Sequence, residues 1–334
     1  MKKNPDHHTT LQAFSEAEFK QAKRFLATLV TQMMGRKLEE GDWGEVYSTA
    51  KNIPLSGWSN LHIDVNYNGL GVEHKLLRCS GLNGRPIKSV CGTTLMHPAA
   101  TRSIRIPDTS LPAEKVMADV FGQYADLLHL RKQKVKAAAP DKKPEMRTGW
   151  LLWEDSLSEF LYFEEPLIPP KPSDFYAEWN ETPAKGARKS SKSLWIFDRK
   201  SHKKRYSVTT SAGIKIQPYF DVPPPSDPYL YYFRVQGEPL DADTVQMWVS
   251  PSTAELFMRL LGSLDKQTIS NAIIKIAPKV SEKSVLAYDK NELATAVHLT
   301  PDAYETLVKS WDGVSDEHRA QLFLKSFESN YLTK

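Results

Sequence analysis

Apolar residues at Phe14, Phe19, Phe25, Leu26, Leu29, Val30 and Met33 recur at roughly helical spacing and predict an amphipathic helix over residues 11–38. Ser15, with Glu18 three residues later, forms a capping box at its start. A second short helix is predicted over Asp42–Lys51, ending ahead of Pro54. Residues 60–78 read as a β-hairpin, and residues 112–136 as a Leu- and Val-rich helix opened by Pro112. Trp150–Phe163 is apolar and aromatic, and Pro166, Pro169, Pro170 and Pro172 then punctuate a loop. Strand-like runs follow at Leu194–Asp198, Arg205–Thr210, Tyr229–Val235 and Thr244–Val249. Ser252–Gly262 reads as a helix, and the chain beyond 265 as mainly helical. The fold class this pattern predicts is α/β, a mixed α+β chain.

The chain has 334 residues, 40% of them apolar, which suits a soluble globular protein. No apolar run approaches the ~20 residues that cross a bilayer, so no membrane partner is expected. Met1–Thr10 is polar and lacks the apolar stretch of a secretion signal. Two cysteines cannot form a disulfide framework, and a reducing, cytoplasmic setting is expected. Lys and Arg total 44 against 40 Asp and Glu, a net charge of +4 that by itself names no partner. Its distribution says more. Residues 131–147 hold seven basic and two acidic residues, and residues 185–205 hold nine basic residues and one acid, Asp198.

The chemistry concentrates in the hairpin. Asn68-Gly69 is a strong type I′ turn signal, because both positions require positive φ. A turn centred there pairs Tyr67 with Leu70, Val65 with Val72, Asp64 with Glu73, Ile63 with His74, His62 with Lys75 and Leu61 with Leu76. Alternation then puts Leu61, Ile63, Val65, Val72, His74 and Leu76 on a core face, and His62, Asp64, Glu73 and Lys75 on the other. Facing carboxylates repel by roughly 0.2–1 kcal/mol. Mg²⁺ between them reverses that sign, since it takes one or two hard carboxylate ligands and keeps waters and phosphate oxygens for the rest. Lys75 on the same face can orient a water or offset charge on a phosphorus-centred transition state. The plain alternative is a solvated face on which Lys75 merely neutralises two acids, a pairing worth little.

Asp64, an eight-residue gap, then Glu73-His74-Lys75 resembles the D…(D/E)-x-K signature of the PD-(D/E)xK nucleases, which include many type II restriction endonucleases. Ile63 stands where the motif has its often absent proline. The resemblance spans about residues 40–135. It implies a restriction-endonuclease-like core with a central mixed sheet flanked by helices. It also implies metal binding by Asp64 and Glu73, helped by the backbone carbonyl of His74, and a role for Lys75 at the attacking water. Many members add an acid from an upstream helix, the place of Glu45 in Trp43-Gly44-Glu45-Val46-Tyr47. A helix and a strand follow the lysine strand in the family. Residues 112–136 can supply that helix, with Gln123 and Tyr124 as site neighbours. The division expected is a nuclease core with N-terminal helices over 1–145, then a β-rich DNA-recognition region and C-terminal helices over 146–334, with one continuous domain as the alternative.

The segment 185–205 can lay Lys189, Lys192, Arg199, Lys200, His202, Lys203, Lys204 and Arg205 along a duplex backbone, each phosphate contact adding salt-dependent affinity. Its plain alternative is a flexible charged loop. The many aromatics between 150 and 250 are mostly core, and a few can receive a flipped base. Cys79, Cys91, His74 and His97 lack the close pairs of zinc modules, so buried thiols and packed histidines are the preferred reading. No P-loop, GxSxG or HExxH occurs.

The expectation is therefore a Mg²⁺-dependent endonuclease of type II restriction type, a homodimer cutting double-stranded DNA. The alternatives are a modification-dependent or repair nuclease with the same core, and a non-catalytic DNA-binding protein that uses the 185–205 segment.

Overall fold

The computed structural model describes residues 10–32, 38–54, 63–82, 84–98, 104–106, 108–154, 156–184, 190–210, 216–276 and 294–310. In chain order its elements begin with α1 (Glu16–Gln32), α2 (Glu40–Ala50), β1 (Val65–Tyr67), β2 (Leu70–Arg78), β3 (Thr94–Met96) and α3 (Ala113–Ala138). Next come β4 (Glu145–Trp153), β5 (Glu159–Pro166), β6 (Phe175–Thr182), β7 (Ser191–Asp198), β8 (Lys204–Thr209) and β9 (Ile216–Asp221). Then follow β10 (Tyr231–Arg234), β11 (Glu238–Asp241), β12 (Thr244–Val249), α4 (Pro251–Leu261), α5 (Lys266–Ile276), β13 (Thr295–Leu299) and α6 (Pro301–Ser310). The chain is thus mixed α and β. Among the described residues no helix is long and apolar enough to cross a membrane.

The elements fall into two compact units. The first comprises Met1–Ala13, Ser56–Leu152 and Leu161–Tyr231, and the second Phe14–Leu55, Trp153–Phe160 and Tyr232–Lys334. The boundary expected at residue 145 falls inside the first unit. The basic stretch 131–147 is the end of α3 and its return to β4.

In the first unit one sheet has the order β1-β2-β4-β5. Glu145 N–H donates to the Gly69 carbonyl at 2.8 Å, and Gly149 lies against the His74 ring, so β4 and β2 advance in the same direction. Parallel neighbours need a long crossover, and α3 provides it. A second sheet, order β3-β9-β8-β7-β6, is antiparallel throughout. The first half of α3 packs Val116, Met117, Val120 and Phe121 against Leu194, Ile196, Val208 and Ile216 of this sheet.

In the second unit, α1 starts at Glu16 and not at residue 11. The capping box does form, with Ser15 N–H donating to Glu18 Oε2 at 2.6 Å and Glu18 N–H to Ser15 Oγ at 3.3 Å. A Ser N-cap starts the helix at that point, and Leu11, which belongs to the first unit, instead bridges to Glu164 of that same unit. The β11-β12-β13 sheet packs Met247, Val249, Val297 and Leu299 on Phe257, Ile269, Ile273 and Leu307 of the C-terminal helices. The strand β13 interrupts a region expected to be mainly helical.

Candidate active site

The hairpin folds in the predicted register. Asn68 and Gly69 have φ of 48° and 84°, and Tyr67 pairs with Leu70, Asn66 with Gly71 and Val65 with Val72. Val65, Val72 and His74 are buried, as the core face requires, whereas Ile63, also buried, comes round to the other face, its Cδ1 3.1 Å from where a Gly71 Cβ would stand. The acidic end differs from the expected facing pair. The chain bends at Asp64, so the ladder stops at Val65, and Asp64 Oδ2 accepts the His74 N–H at 2.6 Å. A side-chain oxygen there replaces a ladder carbonyl. Leu61 and His62 lie outside the described residues.

The second half of α3 lies over the other face. Tyr124, Leu128, Arg131 and Val135 are spaced by four, three and four residues and so share one helical stripe. A Cβ added to Gly71 would come within 2.7 Å of Val135 Cγ2, so a larger residue in β2 would push the helix away. Glu73 sits between two cations. Lys75 Nζ donates to its Oε1 at 2.7 Å, and Arg131 Nη1 lies 2.9 Å from Oε2. The three side chains are only 12%, 18% and 15% exposed. Burial works to raise the Glu73 carboxyl, but Lys75 and Arg131 outweigh it and hold it below the usual carboxylate range. Burial pushes the Tyr124 hydroxyl up, with Lys75, Glu73 and Arg131 all near enough to act on it. Tyr124 is therefore a site neighbour, as expected. Gln123 is not: it bonds the Arg105 backbone at 2.8 Å and Asp119 at 2.9 Å.

Two residues of this cluster escaped the sequence reading. Arg131 stood within a basic stretch, and its signal is a charge set between apolar Leu128 and Val135 on one stripe. Asn66 pairs with Gly71 in the ladder and so shares the face of Glu73 and Lys75; its buried Oδ1 has no hydrogen-bond partner. Glu73 Oε2, also buried, has the Arg131 guanidinium as its ion-pair partner. Asp64, Asn66 and Glu73 offer hard oxygen atoms of the kind Mg²⁺ takes, an ion that uses one or two carboxylates. No group of three or more His, Cys, Asp and Glu suited to a metal occurs among the described residues. Burial pushes the Cys79 thiol up to about 11 and also raises Cys91.

Behind the motif runs a buried polar chain. The Tyr162 hydroxyl donates to Glu164 Oε1 at 2.8 Å and lies 3.4 Å from His74 Nδ1. Arg147 Nη1 holds Glu164 Oε2 at 2.7 Å. Burial depresses the His74 imidazole from 6.5 to about 3, so the folded chain keeps it neutral. The unfolded chain takes up a proton below 6.5 that the folded chain refuses. This contribution to stability is whole above 6.5 and drains away as pH falls toward 3. Urea unfolding at about pH 7.5 and about pH 5 should show a loss of about 2 kcal/mol from this group. His74→Gln should flatten that slope, and an unchanged slope would count against the assignment.

The remaining candidates scatter. Glu45 is exposed on α2, in the second unit, where Trp43, Val46 and Tyr47 turn inward. Lys189 lies outside the described residues. Lys192 pairs with Glu181 at 3.3 Å and covers the Trp179 ring. Arg199 pairs with Glu114, while Lys203 and Arg205 reach Asp221 at 3.5 and 2.8 Å. Lys200 and His202 are exposed in the β7–β8 turn, and Lys204 lies over the Trp195 ring. The chain matches no family model, no curated protein and no solved structure.

Proposed function

We propose that the chain is a Mg²⁺-dependent endonuclease of type II restriction type that hydrolyses phosphodiester bonds of double-stranded DNA. The observation that carries this reading is the gathering of Asp64, Glu73 and Lys75 at one hairpin, followed by a crossover helix and a parallel strand. That order suits a restriction-endonuclease-like core.

Asp64 and Glu73 would hold the ion, with the His74 carbonyl on the same strand as Glu73 and Asn66 on the Glu73 face of the hairpin. When bound, Mg²⁺ supplies positive charge at the scissile phosphate and makes water a better nucleophile. Lys75, anchored on Glu73, carries the charge that orients the attacking water and offsets negative charge growing at phosphorus. Arg131 fixes Glu73 from the helix side. The β7–β8 turn, with Lys200, His202 and Lys203, and Lys204 at the start of β8 suit phosphate contacts that position the duplex. Duplex cleavage needs two cuts, so the reading includes a homodimer acting in the cytoplasm.

The double ion pairing of Glu73 favours a second reading. A carboxylate held by two cations is also what a purely structural bridge looks like, and the chain would then bind DNA without cutting it. Incubation of methylated and unmethylated plasmid with Mg²⁺ and with EDTA separates the two. Cleavage in Mg²⁺ alone is expected. Binding without cleavage of any substrate would sink the nuclease reading.

A further inference from the structure

The sheet of β6 to β9 has one face packed on α3 and another turned to solvent. Side chains alternate across each strand. Leu194, Ile196, Val208 and Ile216 are buried on the helix side. The opposite side carries Tyr176, Trp195, Phe197, Lys204 and Tyr219, all only partly buried. A register shift between Ile196 and Phe197 pairs Phe197 with Lys204 and brings the lysine onto this aromatic side.

The rings of β6, β7 and β9, with Lys204 of β8 among them, form a row across the sheet. Tyr176 stacks on Phe197, with centroids 5.2 Å apart and planes inclined by 16°. Trp195 meets Phe197 edge-on at 6.5 Å. Lys204 Nζ stands 3.3 Å from the Trp195 centroid and 5.2 Å from that of Tyr219. Its basic neighbours in the hairpin have carboxylates: Arg205 and Lys203 share Asp221, and Arg199 reaches Glu114. Lys204 is held by ring faces instead. Burial lowers its ammonium to about 8, the state of a cation short of an anion.

We infer that this face is a stacking platform for unpaired bases of a DNA strand, with Lys204 taking the adjoining phosphate. Ring faces select that occupant. A duplex offers base edges and phosphates in its grooves while its base faces stay within the stack. Unpaired bases expose π-faces that aromatic side chains stack against, and lysine supplies the charge that tracks the backbone. The inference rests on the nucleic-acid reading of β7–β8 and is independent of cleavage.

The test is fluorescence anisotropy of the full chain in EDTA, with a labelled oligothymidine of about 20 nucleotides and a labelled duplex of similar length. Trp195→Ala should weaken oligothymidine binding about tenfold, equivalent to 1.4 kcal/mol, and leave duplex binding within about twofold. Trp195→Phe should restore most of the loss. Lys204→Gln, a surface change that spares the rings, should lower the salt slope for oligothymidine by about one. Equal losses for strand and duplex, or none for the strand, would overturn the platform while leaving the nucleic-acid reading in place. A wild-type chain that binds neither probe removes both.

Discussion

Lys75→Met should abolish Mg²⁺-dependent cleavage, lowering the rate by about 10²–10³-fold, while DNA binding stays close to wild type. The substitution keeps the length of the stem and removes the charge. Lys75 donates to Glu73 Oε1, yet Glu73 keeps Arg131 on its other oxygen, so no carboxylate is stranded. The stability cost should therefore stay below about 2 kcal/mol, small enough for the variant to be assayed folded. Glu73→Gln makes the useful contrast, because it keeps the shape but loses the ion's ligand. Calorimetric titration with Mg²⁺ should show weakened binding in Glu73→Gln and retained binding in Lys75→Met. If Lys75→Met cuts normally, Lys75 has no part in the chemistry and serves only the ion pair with Glu73.

The hairpin was legible because its turn leaves few choices. Asn68-Gly69 admits two successive positive φ values at little cost, and once the turn is centred every pair up to Val65–Val72 follows. What lies past the ladder was not legible. Whether Asp64 continues the strand or bends back to the His74 N–H depends on neither alternation nor turn chemistry. Arg131 went unread for a different reason. Charge counting set it in a basic tail, whereas its place on the stripe of Leu128 and Val135 makes it part of a buried surface.

The second sheet was harder still. β9 contains Pro218, which argues against a strand. The Pro218 carbonyl accepts from His97 on the β3 side, so its nitrogen faces the same way, past the last residue of β3, and no ladder bond is lost. The basic segment 185–205 was read as a stretch that lies along a duplex backbone, yet of its described members Lys192, Arg199, Lys203 and Arg205 pair with carboxylates of the protein. Strand alternation sorts its members by what they face. It pairs Lys192 and Arg205 with carboxylates and sets Lys204 among rings. On the nucleic-acid reading, phosphate contact would fall to a few positions and not to the whole segment.

Arg147→Met should be among the most damaging single changes in the first unit, costing about 3–5 kcal/mol in urea unfolding. Glu164 is fully buried, and its carboxylate is held by the Arg147 guanidinium at 2.7 Å and the Tyr162 hydroxyl at 2.8 Å. Arg147 also donates to the Gln12 carbonyl at 3.0 Å and to Glu145 at 2.8 Å, so one substitution frees three acceptors. Removing the cation leaves a buried charge that a neutral hydroxyl cannot balance. Glu164→Leu added to Arg147→Met should recover much of the loss, because an apolar pair removes the stranded charge along with its partner. A cost below about 1 kcal/mol for Arg147→Met alone would mean that water reaches Glu164. The effect should also reach the hairpin. Tyr162 links Glu164 to His74, and His74 sits between Glu73 and Lys75 on β2. Cleavage by Arg147→Met should therefore fall further than its folded fraction explains, a difference read by normalising activity to the folded population from the same unfolding curve.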